Sequence, residues 1–126
     1  MKTILFIGVG GFLGSISRYA VHKLLTGIFP GIFPLGTLAA NLLGCLLIGI
    51  IYGMATSYNI LSHEMRMLLA VGFCGSFTTF STFANENLAL LQSNQIFVMI
   101  IYTAVSIIIG ILMVFLGIKF STSLFS

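Results

Sequence analysis

Apolar residues run along this chain in four long stretches, separated by short polar or Gly/Pro-bearing gaps. The stretches lie near Thr3–Leu25, Leu35–Ala55, Met65–Leu91 and Ile96–Ile118. Each reaches the about 20 residues that a helix needs to cross a bilayer, so each predicts one membrane-spanning helix. The gap from Gly27 to Pro34 reads as a Gly/Pro turn, Thr56 to Glu64 as a polar loop, and Gln92 to Gln95 as a tight polar turn. No gap has room for a soluble domain. The expectation is a single four-helix membrane domain over residues 1–126, an all-α integral membrane protein. Met1-Lys2 followed by an apolar run resembles a signal peptide, but no A-x-A-type site follows, so the first stretch is read as a retained helix.

Small residues recur within the apolar pattern at helical spacing. Gly10 with Gly14 and Gly11 with Ser15 lie four apart in the first stretch, and Gly36, Ala40 and Gly44 and then Cys45, Gly49 and Gly53 repeat this in the second. Such spacing lets helix backbones approach closely. The glycines at 8, 10, 11 and 14 do not make a dinucleotide site: the spacing misses G-x-G-x-x-G and no strand–helix alternation surrounds it. In the fourth stretch Tyr102, Ser106 and Gly110 share one face, either a packing seam or a polar track along a pore.

The third stretch departs from this pattern. Gly72 and Gly75 loosen the helix, Ser76, Thr78, Thr79, Ser81 and Thr82 bring hydroxyls, and Phe77, Phe80 and Phe83 recur every three residues. On a helix Phe83 lies about 60° from Phe80 and Glu86 about 120°, with Thr82 nearly opposite and Ser81 and Asn85 on the other flank. No side is purely apolar, so none is a good lipid face. This segment is expected inside an assembly, lining something polar.

Composition narrows the class. Of 126 residues, 59% are hydrophobic and 6% charged, with no Trp, and the mean hydropathy is +1.20. A soluble domain of this length could not bury so much apolar surface. The net charge of +3 comes from five basic and two acidic residues, too sparse for a nucleic-acid surface. Cys45 and Cys74 lie in apolar segments with no second ligand at metal spacing, so neither a disulfide nor a metal site is expected from them. The two carboxylates, Glu64 and Glu86, have no His or Cys array beside them, which argues against an enzyme.

Four crossings put Lys2, Arg66 and Lys119 on one side and Arg18 and Lys23 on the other. Three against two gives the positive-inside rule almost nothing to act on. Either Lys2 or a context outside the sequence decides the orientation, or the chain inserts both ways and pairs as an antiparallel homodimer, the two-chain form of an inverted repeat. Asn41 sits between Ala39, Ala40, Leu42 and Leu43. It either makes an interhelical hydrogen bond or aims its NH₂ at an anion. Arg18 fits a membrane mouth or a wet vestibule, where it would draw anions or simply snorkel. Glu86 is a candidate proton- or cation-binding carboxylate, or a partner for Arg18. His22 and His63 read as interfacial residues.

Three motifs in order resemble the Fluc family of bacterial fluoride channels, also called CrcB proteins. Gly10-Gly11-Phe12-Leu13-Gly14-Ser15-Ile16-Ser17-Arg18-Tyr19 matches G-G-x-x-G-x-x-x-R-Y. Gly36-Thr37-Leu38-Ala39-Ala40-Asn41-Leu42-Leu43-Gly44 is similar to G-T-L-x-x-N-x-x-G, and residues 72–83 to G-F-x-G-x-x-T-T-F-S-T-F. The resemblance covers the whole chain. It implies a dual-topology homodimer in the bacterial cytoplasmic (inner) membrane, with two antiparallel fluoride pores. It also implies a break in the third helix and a central structural Na⁺ that is not transported, held by the Gly75 and Thr78 carbonyls. On the same basis Phe80 and Phe83 are pore phenylalanines, Asn41 the pore asparagine, and Tyr102 and Ser106 the polar track. Thr79, Ser81 and Thr82 belong to the hydroxyl-rich pore region, and Arg18 is the vestibule arginine. Glu86 is placed with Arg18 at the vestibule from the residues alone, outside the resemblance.

The physics is compatible with that family. Carbonyls freed by a helix break suit a hard cation, and the electropositive edges of Phe rings can flank a small anion. Fluoride enters cells as its neutral acid and is trapped on ionising. A passive pore releases it down an inside-negative potential worth about 2.3 kcal/mol per charge per 100 mV. Two rivals remain. A small multidrug exporter shares four spans but exchanges protons on an embedded carboxylate, which the first span lacks. A non-transporting membrane packing subunit would explain the glycines but not the hydroxyl-and-Phe run.

Overall fold

A computed structural model describes residues 1–125. The elements are α1 (Lys2–Ile28), α2 (Leu35–Tyr58), α3 (residues 63–77), α4 (Phe80–Gln92) and α5 (Ile96–Leu124), with no strand among the described residues. Four segments are long and apolar enough to cross a membrane: Lys2–Ile28, Leu35–Ser57, His63–Gln92 and Ile96–Leu124. The third is α3 and α4 together. α1 and α5 both outrun the expected ends at Leu25 and Ile118: Gly27, expected to open the turn, stays helical, and no Pro lies in Thr26–Ile28 or Lys119–Leu124. At 1.5 Å per residue α1 extends about 40 Å, enough to cross the hydrocarbon and reach into the headgroups.

Local chemistry sets the ends. Ser62 is extended, and its Oγ accepts the Met65 N–H at 3.2 Å, capping α3. Asn59 (φ 51°) ends α2, and Asn94 (φ 60°) turns the chain between α4 and α5. Asn tolerates this left-handed region better than other residues with a side chain. The Gln95 N–H then reaches the Leu90 carbonyl at 2.8 Å and closes the turn.

α3 is not uniform. One α-helical turn, His63–Arg66, widens into a π-helical stretch, Met67–Cys74, before a last turn, Gly75–Phe77. Thr78 (φ −86°, ψ 157°) and Thr79 (φ −150°, ψ 118°) are extended, so the third span breaks between Phe77 and Phe80.

Two glycine seams hold the helices together. α1 lies on α3 where Gly10 meets the Leu68 carbonyl, Gly14 meets the Phe73 carbonyl and Gly72 faces the Ile7 carbonyl. α2 lies on α5 where Gly49 meets the Val114 carbonyl and Gly117 meets the Leu46 carbonyl. A methyl group at any of these would fall on backbone, so only a hydrogen permits the approach. A smaller apolar core of Leu38, Leu90 and Tyr102, with Phe33, Leu42 and Phe83 against it, fills the space between α2, α4 and α5. The outward sides of α1 and α5 are apolar, with Ile4, Phe12, Ile108 and Ile111 more than half exposed. In a membrane protein these are the lipid-facing positions.

Candidate functional site

The site grows from the break. In a continuous helix the Thr79 N–H would donate to the Gly75 carbonyl. Here it donates instead to Asn41 Oδ1 at 2.8 Å, and Asn41 Nδ2 donates back to the Thr79 carbonyl at 3.2 Å. One amide on α2 thus replaces the helical bond that the Thr79 N–H loses and adds a bond to the Thr79 carbonyl, which is also the cap carbonyl of α4. The Thr78 N–H and Oγ1 both close on the Cys74 carbonyl, at 3.0 and 2.9 Å. Among the described residues no hydrogen bond reaches the carbonyls of Gly75, Ser76, Phe77 or Thr78. The end of α3 therefore presents bare carbonyls, and its dipole makes that end negative.

Across the break, α4 starts with the opposite polarity. Thr79 caps it, its Oγ1 accepting the Thr82 N–H at 3.2 Å and donating to Thr82 Oγ1 at 3.1 Å. The first N–H groups of α4, on Phe80 and Ser81, have no helical acceptor. Ser81 is exposed, with its Oγ 3.5 Å from Thr79 Oγ1.

Aromatic rings extend the site along α4 to α5. The Phe80 and Phe83 centroids are 5.8 Å apart with planes at 43°. Phe83 lies 5.1 Å from Tyr102, and Tyr102 lies 5.7 Å from Phe33, edge to face. Phe80 is 79% exposed on the single chain, whereas Tyr102 is fully buried. The Tyr102 hydroxyl donates to Glu86 Oε1 at 3.1 Å. The carboxylate is thus engaged by Tyr102 and lies in a different cavity from Arg18.

Three cavities lie around the break and the ends of α1 and α4. An open groove of about 420 Å³ collects Asn41, Gly75, Thr78, Thr79, Phe80, Phe83 and Ser106. Ser106 Oγ is buried without a hydrogen-bond partner, an uncommon state for a native hydroxyl. A second cup of about 220 Å³ holds Arg18 with Ser15, Thr37 and Thr82, and Thr79 stands in the wall of both. A third, about 360 Å³, contains Glu86. Of the residues marked in the sequence, the groove gathers seven and the Arg18 cup adds Thr82. Tyr102 joins the groove to Glu86, and Ser81 alone stands outside. Cys45, Cys74 and Ile107 also wall the groove, and His22 and Thr37 wall the cups, although none of the five was marked as a site residue from the sequence. Thr37 stood inside a quoted motif, but no pattern singled out His22.

Comparison with known proteins places this arrangement. Residues 5–118 match the family model described as CrcB-like protein, Camphor Resistance (CrcB). The chain belongs to the CrcB family. Among CrcB relatives, the Flavobacterium psychrophilum protein named fluoride-specific ion channel FluC is 41% identical over 117 residues, covering 93% of this chain and 94% of the relative. Proteins of the same name from Chlorobium phaeobacteroides and Bacteroides fragilis are each 46% identical. They cover 92% and 93% of this chain, and 90% and 94% of their own lengths. A CrcB chain with this helix set is a multi-pass membrane protein, and its chemistry is that of a conduit rather than of an enzyme.

Proposed function

We propose that this chain is a fluoride channel that lowers cytoplasmic fluoride by passive export of the anion. The carrying observation is the groove at the break. It sets two Phe rings, an unpartnered Ser106 hydroxyl and the start of α4 around one open space, in a family whose relatives bear the fluoride-channel name. Fluoride is small and strongly hydrated, so a path must replace its water. Hydroxyls and helix-start N–H groups donate to it, and electropositive ring edges flank it without binding it tightly. Phe80 and Phe83, tilted rather than stacked, leave such edges available.

The working unit is an antiparallel homodimer in the bacterial inner membrane. Gly75, Phe80, Ser81 and Asn85 are exposed on the single chain, although they lie inside a membrane span. Polar groups there favour a protein or water-filled surface over lipid. The near-balanced charges on the two sides favour insertion both ways. The donor set at the break fits a structural Na⁺: bare carbonyls are hard oxygen ligands, and the Gly75 and Thr78 carbonyls are the ones that would hold it. Bound there, Na⁺ would supply positive charge against the helix-end carbonyls. One chain offers too few such oxygens, so the partner completes the set.

The test is anion efflux from liposomes that hold only this protein. Fluoride should leave rapidly while chloride stays. Equal loss of both anions, or no protein-dependent fluoride loss, would overturn the proposal.

A further inference from the structure

Arg66 carries a permanent charge into the third span, close to its start at His63. Its Nε is buried and makes no hydrogen bond. A buried donor without an acceptor is costly, the more so when it is charged. Neither carboxylate of the chain meets it. Glu64 stands two residues earlier on the same helix, where side chains do not face each other. Glu86 lies on α4, beyond the break, and accepts the Tyr102 hydroxyl. The α1–α3 seam gives the depth of Arg66. Gly10 meets Leu68 and Gly14 meets Phe73, so the two helices run side by side in one direction. These pairs are offset by 68 − 10 = 58 and 73 − 14 = 59, which sets Arg66 level with Ile7 or Gly8. That level is about 8 Å along the axis from Lys2. Side chains lean toward the N-terminal end of their helix, here the membrane surface, and an Arg stem is long enough to reach it. At this end Ile4, Leu5 and Met65 are exposed apolar residues, as on a surface that meets lipid.

We propose that Arg66 binds the phosphate of an anionic phospholipid at this end of the third span. The inference needs only the membrane spans and not the channel reading. A guanidinium presents its Nε and Nη donors as a planar fork that matches two phosphate oxygens. Lipid phosphates lie at the depth where spanning helices end, so the acceptor that Arg66 lacks within the chain is present in the membrane. A zwitterionic headgroup brings the same oxygens, but its ammonium cancels their charge. An anionic headgroup brings both an acceptor and a countercharge, and Lys2, exposed on the same side, adds to the attraction. Lys119 shares that side but not the site. Its Nζ stands 5.7 Å over the Phe115 ring on α5, in the other glycine seam.

Native mass spectrometry of the full-length protein in detergent tests this. The protein is titrated with phosphatidylglycerol, with phosphatidylcholine of the same acyl chains, or with phosphatidylglycerol and inorganic phosphate together. Wild type should retain phosphatidylglycerol about fivefold more strongly than phosphatidylcholine. Arg66→Gln should lose that preference and Lys119→Gln should keep it. Equal retention of the two lipids by wild type, or an undiminished preference in Arg66→Gln, would overturn the proposal. Displacement of the lipid by inorganic phosphate would make this a site for soluble anions and overturn the lipid assignment. A second measurement needs no variant and decides the matter should Arg66→Gln fail to fold. An arginine-selective dicarbonyl is applied to wild type and the modified residues are located by peptide mass. Phosphatidylglycerol should slow modification of Arg66 relative to Arg18, and phosphatidylcholine should not. The same Arg66-to-Arg18 ratio in both lipids would overturn the proposal.

Discussion

The glycine seams and the break in the third span use the same backbone in opposite ways. At the seams the backbone is helical on both sides. Gly10, Gly14, Gly49 and Gly117 bring helix against helix until a hydrogen is all that fits, and the carbonyls they meet lie within helical segments. At the break the backbone is left open. The carbonyls from Gly75 to Thr78 lack hydrogen bonds, Ser106 Oγ has no partner, and Phe80 is largely exposed. Leaving backbone groups unpaired inside a membrane costs several kcal/mol each unless something else satisfies them. The difference separates the backbone that holds helix to helix from the backbone that faces the groove.

The largest expected effect lies in a seam. Gly49→Leu drives a side chain into the Val114 carbonyl and should cost about 3 kcal/mol or more by overpacking. Size-exclusion profiles after detergent extraction should lose the native peak. A native peak with wild-type thermal stability would show that the α2–α5 approach is dispensable.

Next comes the clasp that holds the break. Asn41→Leu removes both hydrogen bonds to Thr79 and strands its N–H, a loss on the order of 2 kcal/mol. Asn41→Asp keeps an acceptor for the Thr79 N–H but removes the donor and adds negative charge. Thermal denaturation in detergent should rank wild type above Asp and Asp above Leu. Fluoride flux should fall at least as far in Asp as in Leu, because the field at the groove inverts. An Asp variant that conducts like wild type would leave Asn41 a clasp and nothing more. The smallest effect belongs to Gly8→Ala. Nothing lies within 4 Å of the new methyl, so stability should hold or rise by up to about 1 kcal/mol through helix propensity. A marked loss would mean that a partner chain covers that face.

Much of the frame could be read from the chain before any coordinates. Four apolar stretches become four spans because length and hydropathy alone decide crossing. The seams at Gly10, Gly14, Gly49 and Gly53 follow from small residues four apart. The chemistry of the break showed in its hydroxyls and Phe residues, but its backbone course did not. Thr78 and Thr79 are extended because Asn41, 38 residues away in sequence, offers Thr79 a substitute for its helical hydrogen bond. No local propensity encodes that. The same limit explains Asn41, for which interhelical bonding and anion donation were both open. It is bonded to the backbone that shapes the groove and lines the groove as well. The π-helical stretch Met67–Cys74 had no signal, since its residues also suit an ordinary helix. His22, read as interfacial, is exposed near the end of α1, and that it also lines the Arg18 cup depends on Gly36 and Thr79 from other helices.

The central claim is that fluoride passes the rings at the break, and replacing those rings tests it most directly. Phe→Ile keeps bulk and hydrophobicity and deletes the electropositive edge. Phe80 is 79% exposed on the single chain and Phe83 packs on Tyr102. Phe80→Ile should therefore leave stability nearly unchanged, while Phe83→Ile should cost about 1 kcal/mol. Fluoride efflux from liposomes should nonetheless drop at least tenfold in both, a barrier increase of about 1.4 kcal/mol. Phe97→Ile, at an exposed ring on α5 away from the break, should conduct as wild type does. Wild-type efflux from both Phe80→Ile and Phe83→Ile would contradict the claim and reduce the rings to packing groups.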